Sequence, residues 1–71
     1  MRKNELVLPK DYSVISVTNE GYYTLIKCYT NDRHIDMYVD IRLYQDGEFE
    51  SCHCGIGKDF IWTDWEEDVL P

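Results

Sequence analysis

Cys52, His53 and Cys54 bring together thiol and imidazole side chains, the groups that zinc binds most often in proteins. Alternate residues of a β-strand share a face, so the two thiols would point one way and the imidazole the other. A structural zinc site usually needs four ligands at wider spacing, and the strand pairing given below puts Cys28 on the opposite face. We therefore expect small, buried thiols and no catalytic cysteine, with Cys52 and Cys54 kept only as weak candidates for a metal site.

The other groups that could do chemistry do not form a catalytic pattern. Residues 55–58 read Gly-Ile-Gly-Lys, which lacks the spacing and the following Ser or Thr of a phosphate-binding loop, so we interpret them as a turn. Asp36 and Asp40 are four residues apart on a predicted strand, about 13 Å, too far to work as an acid–base pair. Glu50 is expected to form an ion pair with Arg42. The sequence predicts a protein that is not an enzyme and uses no cofactor.

The strand that positions these groups is clearest at residues 34–44, where apolar and polar or aromatic residues alternate without a break. A period of two is typical of a β-strand with one buried face, and no helical period separates the two sets. The set expected to be buried is Ile35, Met37, Val39, Ile41 and Leu43. The set expected on the opposite face is His34, Asp36, Tyr38, Asp40, Arg42 and Tyr44.

Three further strands are predicted beside this one, at residues 12–18, 22–29 and 48–53, because these runs are rich in β-branched and aromatic residues. Short segments of Gly, Asn and Asp separate them, as in hairpins. The sequence therefore predicts a four-stranded antiparallel meander over residues 12–53.

The chemistry of facing residues suggests a register for the hairpins. If the second turn lies at residues 30–33, Lys27 faces Asp36, Ile26 faces Met37 and Cys28 faces Ile35, which puts an ion pair on one face and apolar pairs on the other.

In the last hairpin, a three-residue loop at 45–47 with Gly47 at positive φ places Leu43 opposite Phe49 and Arg42 opposite Glu50. The register of the first hairpin is not determined by the sequence, because either Val14 or the pair Ile15 and Val17 can face the core.

The apolar face of a single sheet needs a cover, and two segments can provide it. One is an N-terminal arm, residues 1–10, with its Leu-Val-Leu run. The other is residues 59–71, where Thr63 and Glu66 fit a capping box and predict a short helix from Asp64 that places Trp65 and Val69 on one side. Alternatives are a fifth strand at 60–63 and self-association. We predict one domain, residues 1–71, of α+β class and mainly β, with the C-terminal segment helical or extended.

Composition separates this chain from nucleic-acid-binding proteins. It has 71 residues, with 14 acidic against 7 basic residues, a net charge of −7 and 14% aromatic residues. Residues 34–50 and 51–71 each carry a net charge of −4. Such a surface repels nucleic acid and anionic lipid and is attracted to basic surfaces, although acidity can also serve only to keep a small protein in solution.

Cysteine usage and hydropathy indicate a compartment. The chain has three cysteines, an odd number, and neither a signal-peptide pattern nor an apolar run long enough to span a membrane. The expected location is the cytoplasm, that of a host cell if the protein is viral.

Carboxylates interleaved with tyrosines on the outer face of the sheet indicate a surface that binds a basic protein partner, since Tyr is enriched at interfaces and carboxylates pair with Arg and Lys. The alternative is that the C-terminal segment covers part of this face and packs on its tyrosines. The candidate partner-binding residues are Tyr23, Leu25, Tyr29, Asp36, Tyr38, Asp40, Tyr44, Glu48, Glu50, Asp64, Glu66, Glu67 and Asp68.

In size, charge, aromatic content and lack of catalytic residues, the chain resembles in type the small acidic proteins with which viruses and mobile elements inhibit host nucleic-acid enzymes, including anti-CRISPR and anti-restriction proteins. The resemblance implies an inhibitor that occupies the basic, nucleic-acid-binding groove of a host enzyme and binds neither nucleic acid nor membrane directly. Two alternatives stay open: a structural or assembly module that forms a homodimer through its sheet, and a cysteine-based metal-binding domain.

Overall fold

The fold is an antiparallel sheet of five strands, seen in a computed structural model that describes residues 6–32, 35–57 and 60–71. The strands are β1 (Tyr12–Asn19), β2 (Tyr23–Asp32), β3 (Ile35–Tyr44), β4 (Phe49–Gly55) and β5 (Glu66–Glu67). They lie side by side in chain order, each antiparallel to the next, so the predicted meander is confirmed. The α+β class is wrong, because none of the described residues is helical.

Within residues 6–32, 35–57 and 60–71, no helix has the length and apolar character needed to cross a membrane.

β2 and β3 form the longest pairing of the sheet, and its register differs from the prediction. Lys27 lies opposite Asp40 rather than Asp36, Cys28 lies opposite Val39, and the other predicted pairs are displaced equally. The observed register pairs all ten residues of β2 with the ten of β3, which satisfies more backbone groups than the predicted one. Each partner on β3 moves by four positions, an even number, so every side chain keeps its predicted face.

The turn between β2 and β3 begins later than expected. The last paired residues are Asp32 and Ile35, so β2 continues through residues 30–32, which the sequence predicts as part of the turn, and β3 begins at Ile35. Arg33 and His34, including the expected place of His34 on the polar side of the sheet, lie outside the described residues.

The register between β3 and β4 is the predicted one. Leu43 pairs with Phe49 and Arg42 pairs with Glu50. The connecting loop has Gly47 at a φ of 95°, a conformation that glycine adopts without steric cost and that a three-residue hairpin loop requires. The choice of the three-residue loop, made to keep Glu50 off the core, is therefore confirmed.

A bulge in β1 settles which of its residues face the core. Val14 pairs with Cys28, but the next paired residue is Ser16, so Ile15 is an extra residue in the strand. Val17 then returns to the side of Val14, since one inserted residue reverses the alternation of faces. The two valines share the core face, a combination that neither sequence alternative contained.

The core is small and is centred on Cys28, Val39 and Ile41, which are buried. Partly buried side chains pack around it from the N-terminal arm, the sheet and the end of the chain: Leu6, Leu8, Tyr12, Ile26, Met37, Phe49 and Leu70. Ile35, expected to be buried, is 55% exposed, because it lies at the open end of the sheet beside the turn.

The C-terminal helix predicted from Asp64 does not form. The hydroxyl of Thr63, expected to cap that helix, instead accepts a hydrogen bond from the main-chain N–H of His53 at 3.0 Å, and the N–H of Thr63 donates to the carbonyl of His53 at 2.8 Å. An isolated helix of two turns is marginal in water, whereas the edge of β4 offers main-chain groups that need partners.

The same segment divides its side chains between the two sides of the sheet. Glu66 and Glu67 form the short fifth strand, later in the chain than the alternative at 60–63. Trp65 lies over the polar side and Leu70 joins the core, so the expected apolar side of a helix carrying Trp65 and Val69 is wrong. Asp68, with a φ of 57°, turns the chain between the two sides.

Candidate protein-binding surface

The polar face is the side of β2, β3 and β4 opposite the core. Register partners share a face, so the strand pairing assigns to it Tyr23, Leu25, Lys27, Tyr29, Asp36, Tyr38, Asp40, Arg42, Tyr44, Glu50, Cys52 and Cys54. The prediction that the tyrosines and carboxylates of these strands share one side is confirmed. Apart from Lys27 and the two cysteines, these residues are half-buried rather than fully exposed.

Arg42 is at the centre of an aromatic and acidic cluster on the polar face. Its guanidinium lies 3.9 Å from the ring centroid of Trp65 and 5.3 Å from that of Tyr23. It also forms an ion pair with Glu50, at 3.5 Å between Nη1 and Oε1. The Tyr44 hydroxyl donates to the same carboxylate oxygen at 2.7 Å, and this bond raises the pKa of Tyr44. Trp65 thus holds the C-terminal segment against the sheet through a cation–π contact.

A second cluster lies towards the other end of the polar face. The Tyr29 hydroxyl donates to Asp36 at 2.7 Å, which raises the pKa of Tyr29, and the Asn31 amide donates to the same carboxylate. The Tyr38 ring packs edge-on against Tyr29 and Phe60, with centroids 6.1 and 6.2 Å apart. Asp36 and these rings are therefore engaged within the protein. The contact of Phe60 with Tyr38 is the packing of the C-terminal segment on a tyrosine that the alternative interpretation expects.

Asp40 lies between the two clusters. Partial burial raises the pKa of its carboxyl, and the charge of Lys27 on the neighbouring strand opposes that rise. A carboxylate that is half-buried and faces a lysine of its own chain is poorly placed to bind a partner.

Four carboxyl side chains meet at one end of the sheet, around a concavity of about 350 Å³ that we call the acidic end. Its lining is Tyr44, Asp46, Glu48, Phe49, Glu50 and Glu67. The volume is at the lower limit of the range of about 300–1,000 Å³ that is usual for ligand pockets, so it suits a side chain better than a large ligand.

Two of these carboxylates face each other across strands. Glu50 pairs directly with Glu67, and like charges in that position destabilise a sheet. Arg42 offsets the charge of Glu50, with which it forms an ion pair. In the described part of the chain, no ion pair involves Asp46, Glu48 or Glu67. The acidic end therefore retains uncompensated negative charge beside the rings of Tyr44 and Phe49.

The structure brings together four of the candidate residues and separates the rest. Tyr44, Glu48, Glu50 and Glu67 line the acidic end. The remaining candidates do not line it: Tyr23, Leu25, Tyr29, Asp36, Tyr38, Asp40, Asp64, Glu66 and Asp68.

Sequence reasoning missed two lining residues. It placed Asp46 in a turn and Phe49 in the core, although the predicted loop at 45–47 already put Asp46 near Glu48. The carboxylate of Asp46 accepts the main-chain N–H of Glu48 at 3.0 Å, which fixes the mouth of the concavity.

The cysteines are buried, free thiols. Cys28 and Cys52 lie on opposite faces, as predicted, since Cys28 pairs with Val39 and Cys52 with Asp40. Burial raises the pKa of Cys52 to about 11. Among the residues that the structure describes, no group of three or more His, Cys, Asp or Glu side chains is arranged to hold a metal ion.

The fold and the site together define a small antiparallel β-sheet protein with an acidic, aromatic-lined end. Comparisons with protein-family models, with curated proteins and with solved structures find no match to this chain.

Proposed function

We propose that this protein is a non-catalytic inhibitor whose acidic end occupies a basic, nucleic-acid-binding groove of a host enzyme. The observation that carries the proposal is the crowding of four carboxylates around one concavity, including the directly opposed pair of Glu50 and Glu67. This arrangement costs stability in the isolated protein. A cationic side chain of a partner would relieve that cost when it enters the concavity.

The chemistry of the acidic end favours arginine or lysine as the group it receives. Carboxylates form short, charge-assisted hydrogen bonds with guanidinium and ammonium groups. The rings of Tyr44 and Phe49, which line the same concavity, can pack against the aliphatic part or the plane of such a side chain. The net charge of −7 adds long-range attraction to any strongly basic surface.

Grooves that bind nucleic acid are the most extensive basic surfaces on enzymes, and they recognise regularly spaced negative charge. An acidic protein that fills such a groove competes with the nucleic acid for the same cations. The resemblance in type to viral and mobile-element inhibitors supports this choice of partner, and three unpaired thiols are consistent with action in the host cytoplasm.

The test compares two double-charge changes of equal size. One replaces Glu48 and Glu67 by lysine, and the other replaces Asp64 and Glu20 by lysine. All four side chains are exposed, but only the first pair lines the acidic end. Immobilised protein of each kind is incubated with nuclease-treated host lysate at about 0.1 M salt, where the screening length is about 10 Å. Bound proteins are eluted with duplex DNA or RNA and identified.

The expected result is that the unchanged protein and the Asp64→Lys, Glu20→Lys variant retain a nucleic-acid-processing enzyme that nucleic acid displaces. The Glu48→Lys, Glu67→Lys variant should lose it, with affinity reduced by at least about tenfold for two reversed charges. Equal retention by both variants, or a bound enzyme that nucleic acid does not displace, refutes the proposal.

A further inference from the structure

β1 has an open edge. In the described part of the chain it pairs only with β2, because it is the first strand in the order of the sheet. Seven of its eight residues are exposed, including Val14 at 50%, Ile15 at 57% and Val17 at 63%. The outer side of such a strand presents main-chain N–H and C=O groups that can pair with another strand.

The composition of β1 does not block such pairing. The strand reads Tyr-Ser-Val-Ile-Ser-Val-Thr-Asn and contains no Lys, Arg, Asp, Glu or Pro, in a chain that is 30% charged. Natural edge strands are usually protected from association by charged side chains or proline. The bulge at Ile15 is the one protective feature on β1, and it also gives the strand its apolar side.

That apolar side is self-complementary. The bulge puts Val14 and Val17 on the core face and Ser13 and Thr18 on the other. If a second β1 runs antiparallel beside the first, the register that places Val14 opposite Val17 of the second copy also places Ser13 opposite Thr18 of the second copy. A two-fold axis repeats each contact, so on the core face the valines meet valines, and Tyr12 falls opposite Asn19 of the second copy at each end of the pairing.

We propose that the protein forms a symmetric homodimer in which the β1 strands of two copies pair antiparallel in this register and join the two sheets edge to edge. The uncharged, self-complementary sequence of β1 makes a second copy the fitting occupant of the edge. Four exposed valines, two from each copy, form a row on the side of the joined sheet that holds both cores.

This inference does not rest on the proposed function. The acidic end involves β4 and β5 at the opposite edge of the sheet, so dimerisation through β1 leaves both acidic ends open. A change in β1 should therefore weaken the dimer without altering partner binding, and charge reversal at Glu48 and Glu67 should abolish partner binding without breaking the dimer.

Sedimentation equilibrium over a wide range of protein concentration tests the dimer, with Val17→Lys as the variant and Ile61→Lys as its matched control. Both changes place a lysine at an exposed β-branched position, and Ile61, which is 72% exposed, lies beyond β4 on the other edge. Circular dichroism checks that both variants keep the sheet.

The unchanged protein and Ile61→Lys should approach twice the monomer mass as concentration rises. Val17→Lys should raise the dimer dissociation constant by at least about tenfold, because two lysines per dimer would enter the apolar row. In the unchanged protein, hydrogen exchange at β1 amides should slow as concentration rises. Three results would refute the proposal: a strictly monomeric protein, a dimer that survives Val17→Lys, or equal loss of the dimer in Val17→Lys and Ile61→Lys. If the protein is monomeric, the edge of β1 is free to pair with a strand of another protein.

Discussion

At the scale of single residues, Arg42 connects the strands of the polar face with the segment that covers them. Its guanidinium stacks on Trp65, faces Tyr23 and pairs with Glu50, so one side chain contacts residues of β2 and β4 and the approach to β5. A planar guanidinium can stack and form an ion pair at the same time, which an ammonium cannot do as well. Among the residues that the structure describes, the buried Nε atom has no hydrogen-bond partner, so ring stacking and the Glu50 ion pair position this group.

The predicted thiol chemistry can be tested at Cys52. Desolvation raises its pKa from 9.0 to about 11, so at about pH 8 the thiolate fraction is about a hundredfold below that of an ordinary cysteine. Iodoacetamide should therefore modify Cys52 at least about a hundredfold more slowly in the native protein than in urea. Because a raised pKa moves ionisation upwards, the native rate should still rise about tenfold per pH unit between about pH 8 and pH 10.

Peptide mass spectrometry with fragmentation separates Cys52 from Cys54 in this experiment, and the urea-unfolded chain is the control. A native rate equal to the unfolded rate would show that the thiol is accessible and ordinary.

At the scale of elements, the sequence predicts which face of the sheet a side chain occupies better than it predicts the register between neighbouring strands. The alternation in β3 assigns Val39 and Ile41 to the core and Asp40 to the other side. These assignments hold although the observed pairing of β2 with β3 differs from the predicted pairing by four positions. A pattern with a period of two is unchanged by an even shift, so it cannot distinguish the predicted pairing of Lys27 from the observed one. The position of the turn sets the register, and the residues near it did not identify the turn uniquely.

The C-terminal segment shows the limit of a local signal. A capping box is worth about 1 kcal/mol, and Thr63 and Glu66 matched one. The competing state gives Thr63 two hydrogen bonds to His53 and pairs Glu66 and Glu67 with β4. The sequence does not reveal which element will lie beside a short segment, so local residues alone could not distinguish the helix from the extended segment paired with β4. The composition of the acidic end was predicted in part, whereas its concave shape depends on β5.

The turn between β1 and β2 provides a test of backbone strain. Gly21 has a φ of 100°, whereas Gly55, at the end of β4, is not at positive φ, and a Cβ at either position would meet no other heavy atom within 4 Å. Gly21→Ala should lower the free energy of unfolding by about 1–2 kcal/mol, since the alanine would be held at positive φ. Gly55→Ala should change it by less than about 0.5 kcal/mol.

Urea unfolding curves of the two variants give the comparison, and the space around the added methyl group is open at both positions. Equal effects of the two substitutions would show that the backbone angle at Gly21 is not what constrains this turn.

At the scale of the whole molecule, charge and uncharged surface lie on different edges of one sheet. The uncharged edge is β1, and the acidic end lies by β4 and β5. Two copies each with a net charge of −7 repel one another, and the proposed dimer register also brings Asp11 near Glu20 of the second copy. The proposed partner, in contrast, attracts the same charge. The two proposed interactions therefore depend on ionic strength with opposite signs.

Raising sodium chloride from about 0.1 M to about 1 M shortens the screening length from about 10 Å to about 3 Å. The dimer should become about two- to fivefold tighter, because screening removes repulsion while the strand pairing remains. Binding to the basic partner should weaken by more than about tenfold over the same range.

Sedimentation and partner titration on the same samples measure both quantities. Glu48→Lys, Glu67→Lys raises the formal net charge from −7 to −3, so at low salt it should strengthen the dimer while it removes partner binding. Val17→Lys should weaken the dimer and leave partner binding unchanged. If salt changed both interactions in the same direction, a single surface would mediate them, and the assignment of dimerisation to β1 and partner binding to the acidic end would be wrong.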